Sequence, residues 1–514
     1  MTSDQRLERM VGGIRALVVR GGWPVRLSLI GACLVLGVAG GLLVAVAHPL
    51  IVMALVAGVV AGLAMLRSTQ LGLFALVAVI CLLPFGAIPF SIGFYPTFLD
   101  VVLLAVFGVW LARVFTRAQQ GFVSSPLDLP LLIFVLLAFA AFIAGTAHAG
   151  ITKDTLRHFL EIIVALVMFF VVTNSVRGYR QLRQILLVII LSGFAASLMG
   201  VVLYFLPPPL TVRLLSMLSF VHYPSGWGVL WFIEDNPSLP MRAISTSVNP
   251  NVLGGLLILV VTLATPQLFA RRPLIPRKWL APMLGTMLIC LLLTFSRGSF
   301  VAIGAALLVL GVVRYRRLLP LMALALAVIL ILPQTREYIL HLQAGFMMQD
   351  TATLMRLGEY KDALRLISRY PWLGVGFGGT PSIDIYIGVS NVYLLIAEEM
   401  GLIGLGSFLL IMGVFFAYVW VSWRGMERDS DAEPLLLGLG AALLGAMVGG
   451  LTDHYFFNLD FPHSVSLFWL YAALAVVTIK VGSGKVGDGE AVPGAEGQDH
   501  KVDADADRGA GTLA

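Results

Sequence analysis

Apolar residues run along this chain in long unbroken blocks separated by short polar links, without the period-two alternation of strands. Blocks of about 20 residues suit helices that cross ~30 Å of hydrocarbon. The pattern predicts fourteen spans, at about 27–47, 49–66, 70–88, 98–115, 127–147, 158–175, 184–206, 249–270, 279–295, 299–313, 318–333, 391–421, 434–452 and 462–480. The tenth and eleventh are short, and 391–421 is long enough to project beyond the bilayer. No internal repeat stands out, nor an inverted pair of interrupted helices. The expected fold class is all-α: a polytopic membrane protein of about 14 transmembrane helices with long loops on one side.

Composition agrees. Of 514 residues, 59% are hydrophobic and 12% charged, against roughly half and a quarter in soluble domains. This excludes a soluble enzyme, a disordered chain and a disulfide scaffold. The missing alternation argues against an outer-membrane barrel. Cys33, Cys81 and Cys290 all lie inside apolar runs, so neither a disulfide framework nor a zinc cluster is expected. The polar, arginine-bearing segment 1–26 leads into an apolar run long enough to remain as an anchor. Residues 481–514, rich in Gly, Ala, Asp and Glu and without aromatics, read as a disordered tail.

The net charge of +6 reflects topology rather than nucleic-acid binding, because the basic residues sit in the short links. With a cytoplasmic N-terminus, 24 of the 34 Lys and Arg residues fall on the cytoplasmic side. Both termini are therefore expected in the cytoplasm, and the two long segments, 207–248 and 334–390, on the outer face.

Several outer arginines run against that bias: Arg213, Arg242, Arg297, Arg336, Arg356, Arg365 and Arg369. A lipid headgroup, a nearby carboxylate such as Glu359 or Asp362, or an anionic ligand could explain each. Arg297, in Thr294-Phe295-Ser296-Arg297-Gly298-Ser299, is held between two spans with almost no loop. Arg242 precedes the turn Asn249-Pro250-Asn251.

Within 352–379, Leu354, Leu357, Ala363, Leu364 and Ile367 recur near helical spacing, as in an amphipathic helix on the membrane surface. Arg356, Glu359 and Tyr360 can share another face, and Pro371 ends the helix. The run Leu373–Gly379 could turn backbone N–H groups toward an anion or serve as a flexible turn. Ser390-Asn391-Val392-Tyr393-Leu394 leads to Glu398 and Glu399, either helix-end charges or a wet site. Asp453-His454 could handle a proton or cap a helix.

In order and spacing, these motifs resemble the O-antigen ligase/O-antigen polymerase superfamily of bacterial envelope glycosyltransferases. The matching residues are Arg242 with Asn249-Pro250-Asn251, Ser296-Arg297-Gly298, and Arg356 with Pro371-Trp372-Leu373-Gly374-Val375-Gly376. Asn391-Val392-Tyr393-Leu394 and Glu399-Met400-Gly401-Leu402-Ile403-Gly404 complete the set, so that the motif core covers about 240–410 of a membrane domain 27–480. The family usually has a histidine before Asn-x-Tyr-Leu; Ser390 stands there instead. His454, Asp453, Glu398 and Asp384 are candidate substitutes, with His454 favoured because imidazole titrates near neutrality.

The resemblance implies transfer of a glycan from undecaprenyl diphosphate to a sugar hydroxyl on the outer face of the bacterial inner membrane, by a repeat-unit polymerase or by a ligase. Polymerase is preferred because the histidine is associated more with ligases. Partners would be the lipid-linked oligosaccharide, a glycan acceptor, membrane lipid and other polysaccharide-assembly proteins, but no nucleic acid. No Asp/His cluster with ligand spacing shows on the outer side, so no metal or cofactor is expected, and arginines would stabilise the departing diphosphate. Arg297, Arg356, His454 and Asp453 are the expected catalytic residues. Arg242, Asn251, Ser296, Glu359, Tyr360, Arg365, Gly376, Ser390, Asn391, Glu398 and Glu399 are expected to bind substrate. A transporter of an anionic solute is the rival; it should place ionisable groups near mid-membrane, and only His158 and Glu161 give it support.

Overall fold

The computed structural model describes residues 68–331, 351–379 and 388–482, apart from 90, 92, 93 and 117–120. The spans at 27–47 and 49–66, Cys33, Arg336, Asp384 and the tail lie outside these residues. Fourteen α-helices are described: α1 Thr69–Leu82, α2 Phe98–Phe115, α3 Asp128–Gly145, α4 Lys153–Ser175, α5 Tyr179–Phe205, α6 Pro208–Ser216, α7 Pro250–Ala264, α8 Arg277–Leu293, α9 Arg297–Val313, α10 Leu318–Ile331, α11 Thr351–Arg369, α12 Val392–Arg424, α13 Glu433–Gly449 and α14 Pro462–Gly482. Among the described residues, extended pairing is limited to two isolated bridges, Ala87 with Thr97 and Phe232 with Met241. Seven helical segments, α2–α5, α12, α14 and α7 with its 3₁₀ extension to Leu268, are long and apolar enough to cross a membrane.

Each expected span within the described residues has its helix, but the ends differ. Helix α1 stops at Leu82 rather than 88, because Pro84 forces the residue before it out of helical geometry; Leu83 has φ −142° and ψ 50°. Helices α4 and α5 start five residues earlier than 158 and 184. Thr152 begins α4, its hydroxyl accepting from the Thr155 amide. Span 391–421 is not one continuous helix: Gly401, at φ +70°, breaks α12 after its third turn.

Helices α7 and α14 are buried almost all round, so their uniform apolarity reflects a central position. Around them α14 packs on α4, α13 on both α7 and α9, α5 on α1 and α8, and α12 on α3. Helix α11 lies on α12. Its apolar face differs from the expected one: Ala363, Leu366 and Ile367 are buried, whereas Leu354, Leu357 and Leu364 are exposed. The helix therefore carries two apolar strips. One meets α12, and the other is exposed.

Candidate active site

The turn between α8 and α9 is only three residues long. Thr294 ends α8 with its hydroxyl donating to the Leu291 carbonyl at 2.6 Å, and Phe295 reverses the chain at φ +50°. Ser296 then precedes α9, but its hydroxyl pairs with that of Ser299 at 2.9 Å and does not cap the helix. Arg297 thus occupies the first helical position, at a terminus whose dipole favours anions and which lacks a side-chain cap.

A second helix starts beside it. Asn249 caps α7, its Oδ1 accepting from the Asn251 amide at 2.8 Å, with Pro250 at the first position. Arg242 enters from the preceding loop. Its Nη2 donates to Asn251 Oδ1 at 2.6 Å and its Nε to the Thr294 carbonyl at 2.8 Å. Burial pulls its guanidinium down to about 10, with nearby Arg356 and Arg297 adding to the fall while Asp453 opposes it. The group stays charged at neutral pH.

Helix α11 supplies Arg356. One turn on, Tyr360 donates its hydroxyl to the Leu451 carbonyl at 3.0 Å, and the Ser390 amide donates to Glu359 Oε2 at 2.9 Å. These bonds tie α11 to the α13–α14 link and to the approach of α12, and Arg356 and Asp453 line the same cavity.

Arg242, Asn251, Arg297, Arg356, Asp453 and Tyr455 line one cavity of about 70 Å³, together with Glu234, Thr452 and residues of the α8–α9 turn. Three arginines face two carboxylates there, which leaves a formal surplus of one positive charge. Tyr455 is buried, and burial pushes its hydroxyl up, so it remains a donor. Several non-glycine residues in the lining or just before α7 take left-handed backbone: Glu234 at φ +54°, Ser245 at φ +51°, Val248 at φ +54° and Phe295 at φ +50°. Such conformations are costly, above all for β-branched Val248, and tend to gather at binding sites.

Of the other expected site residues, Ser296 lines the cavity and the rest stand elsewhere. His454 follows Asp453 and donates its amide to that carboxylate at 3.0 Å, but does not line the cavity. Asn391 caps α12 and donates Nδ2 to the Leu451 carbonyl at 2.9 Å. Arg365 pairs with Asp362 at 3.0 Å on the exposed side of α11. Gly376, at φ +77°, lets its turn press on Gly145 of α3, where a side chain would collide with the Ala141 carbonyl. Ser390 and Glu359 serve the α11 tether. Glu398 and Glu399 are buried, and their backbone carbonyls accept from the Val375 and Gly376 amides at 2.8 and 3.0 Å.

His158 and Glu161 join a separate cluster. Arg157 donates to Glu161 Oε1 at 2.7 Å and lies 3.7 Å from Asp100, while His158 is 3.4 Å from Glu161. Among the described residues no group of three His, Cys, Asp or Glu side chains could hold a metal ion.

Sequence reasoning missed Glu234, Thr452 and Tyr455. Glu234 and Asp235 form an acidic pair in the loop 207–248, and Tyr455 stands two residues after the singled-out Asp453, but neither feature carries a periodic signal.

Local similarity links the chain to undecaprenyl-diphosphatase of Rhodopseudomonas palustris: 40% identity over 62 residues for strain BisA53 and 39% for strain TIE-1, in each case 11% of this chain and 23% of the relative. The chain thus spans about a quarter of the length of these curated relatives. A chain of a solved structure described as "Structural coordination of polymerization and crosslinking by a peptidoglycan synthase complex" aligns over 70% of this chain and 99% of its own length. It has 19% identity and a TM-score of 0.36, too low to establish a shared fold. Residues 282–409 match the family described as O-antigen ligase. That stretch, about a quarter of the chain, contains the α8–α9 turn with Arg297, α11 with Arg356 and the first turns of α12, so this region is similar to the O-antigen ligase family.

Proposed function

We propose that this protein is a membrane glycosyltransferase that moves a glycan from undecaprenyl diphosphate to a sugar hydroxyl, at the outer face of the bacterial inner membrane. The carrying observation is that Arg242, Arg297 and Arg356, from three distant segments, converge on one cavity. Guanidinium groups grip phosphate oxygens in pairs and keep their charge, so they can stabilise a departing diphosphate. The cavity has room for a small anionic group, not for an oligosaccharide. The sugars and prenyl chain would extend beyond it.

In the proposed reaction the acceptor hydroxyl oxygen bonds to the anomeric carbon of the donor glycan. The bond from that carbon to the diphosphate oxygen breaks, and the diphosphate leaves with the bonding electrons. Asp453, a carboxylate of the cavity lining whose charge acts on Arg242, takes the hydroxyl proton. Ser390, which replaces the family histidine, stands outside the lining, so a base from the α13–α14 link suits this chain better. We assign repeat-unit polymerisation as the reaction.

The test is purified protein incubated with lipid-linked repeat units, with and without EDTA. Growth of longer glycans that survives EDTA and is lost in Arg297→Ala supports the proposal. Undiminished growth in both Arg297→Ala and Arg356→Ala overturns the site. Transfer to a different carrier without chain growth makes the protein a ligase instead.

A further inference from the structure

Helix α9 runs 17 residues from Arg297 to Val313, so its far end lies roughly 25 Å from the arginine cavity at 1.5 Å per residue. Two adjoining cavities open at that end. One, of about 710 Å³, is lined by Arg314, Arg316, Arg424 and Arg428 with Trp420 and Trp423. The other, of about 500 Å³, is apolar and runs between α9, α12 and α13, past Leu310, Phe416, Ala417 and Leu437. They share Val313, Arg314, Trp420 and Trp423, and so form one groove with a cationic mouth and an apolar floor.

The charges at the mouth are unbalanced. Arg314 is satisfied, donating to Glu433 Oε1 at 2.8 Å and Asp429 Oδ1 at 2.6 Å. Arg271 and Arg272 take up Asp429 and Asp431. Arg316, Arg424 and Arg428 remain exposed, and among the described residues none has a carboxylate within 4.0 Å. Arg424 lies over the Trp420 ring at 4.8 Å, while the Trp423 indole donates to Glu433 at 3.2 Å. Tryptophans beside arginines are typical of the membrane–water boundary. The excess of basic links at this end marks it as the cytoplasmic side.

We propose that this groove binds one glycerophospholipid with an anionic headgroup from the inner leaflet. Its phosphate lies among Arg316, Arg424 and Arg428, and one acyl chain lies along the cleft between α12 and α13. The charge complementarity selects an anionic headgroup, and the contiguous apolar floor selects a molecule with a chain over a soluble anion.

The test measures lipid retention by native mass spectrometry, and thermal stability, for the full-length protein purified in detergent. Dioleoyl phosphatidylglycerol is compared with dioleoyl phosphatidylcholine, which has the same chains. Phosphatidylglycerol should bind about a hundredfold more tightly, given the worth of three arginines near a membrane surface. The triple variant Arg316→Gln, Arg424→Gln, Arg428→Gln should erase that preference, and Ala417→Phe, filling the exposed cleft, should weaken both lipids. Equal binding of the two lipids by the native protein overturns the proposal. So does a preference that survives the triple variant, or native affinity for both lipids in Ala417→Phe. Equal stabilisation by sodium phosphate alone would reduce the groove to an anion site, and tighter binding of undecaprenyl phosphate would assign it to that carrier; either result also overturns the proposal. Glycan transfer is read separately, so failure here leaves the arginine cavity's assignment standing.

Discussion

Arg242 donates to Asn251 at 2.6 Å, so a loop arginine is clamped to the first turn of α7. The same side chain holds the Thr294 carbonyl at the end of α8, so one guanidinium joins two helix ends at the cavity wall. Its position is thereby set before any ligand arrives, and the groups it would offer an anion need little reorganisation.

Arg297→Ala or Arg356→Ala should each lower glycan transfer about 10²–10³-fold, by analogy with the loss of one preorganised donor. Arg297→Lys should recover only part of this, because an ammonium lacks the planar fork. Initial rates with lipid-linked donor check both, and a fully active Arg297→Lys would make a paired grip unnecessary.

Arg242→Lys tests burial directly. The burial that pulls the guanidinium down to about 10 would pull down an ammonium too, and an ammonium starts from a lower value. A lowered pKa on a cationic group means that charge is lost as pH rises. Transfer by the lysine variant should therefore decline at a lower pH than transfer by the native protein. Parallel pH profiles would contradict this.

Asp453→Asn should reduce kcat about 10²-fold or more if Asp453 takes the acceptor proton. His454→Gln should have the smaller effect, because His454 does not line the cavity. The reverse order would return the base to the histidine.

Arg314→Ala should cost about 2 kcal/mol of stability. It leaves buried Glu433 without its cation, although Trp423 still donates to it and the arginine is partly exposed. Thermal unfolding in detergent measures this, and an unchanged Tm would make the network decorative.

Gly401→Ala should destabilise the protein by more than about 2 kcal/mol, combining left-handed strain with a collision. At φ +70° the new Cβ would strike the Trp372 carbonyl. Folded yield and Tm report the outcome; native-like values would mean that α12 can straighten without harm.

Much of the fold was legible because membrane helices announce themselves through consecutive residues. A run such as 98–115 has to satisfy its own backbone in an apolar medium, and both its length and its Thr97–Asp100 capping box are local. The early end of α1 at Leu82 has an equally local cause in Pro84, although the expected span ran on to 88. The break at Gly401 was not legible, since glycine is common within membrane helices and only the Trp372–Leu373 backbone against it demands left-handed geometry.

The sequence by itself determined the helical spans, the asymmetry of basic residues and the presence of arginines where charge is expensive. It could not decide which arginines share a cavity. Arg242, Arg297, Arg356 and Asp453 meet through the packing of α7, α9 and α13 and the tether from α11 to the α13–α14 link. Hydrophobic periodicity depends on neighbours a few positions apart, whereas those contacts join residues far apart in the chain. For the same reason Arg365, four residues beyond Lys361 on the same helix as Arg356, falls on the outside with Asp362: the rotation of α11 about its axis was decided by burying Ala363, Leu366 and Ile367 against the bundle.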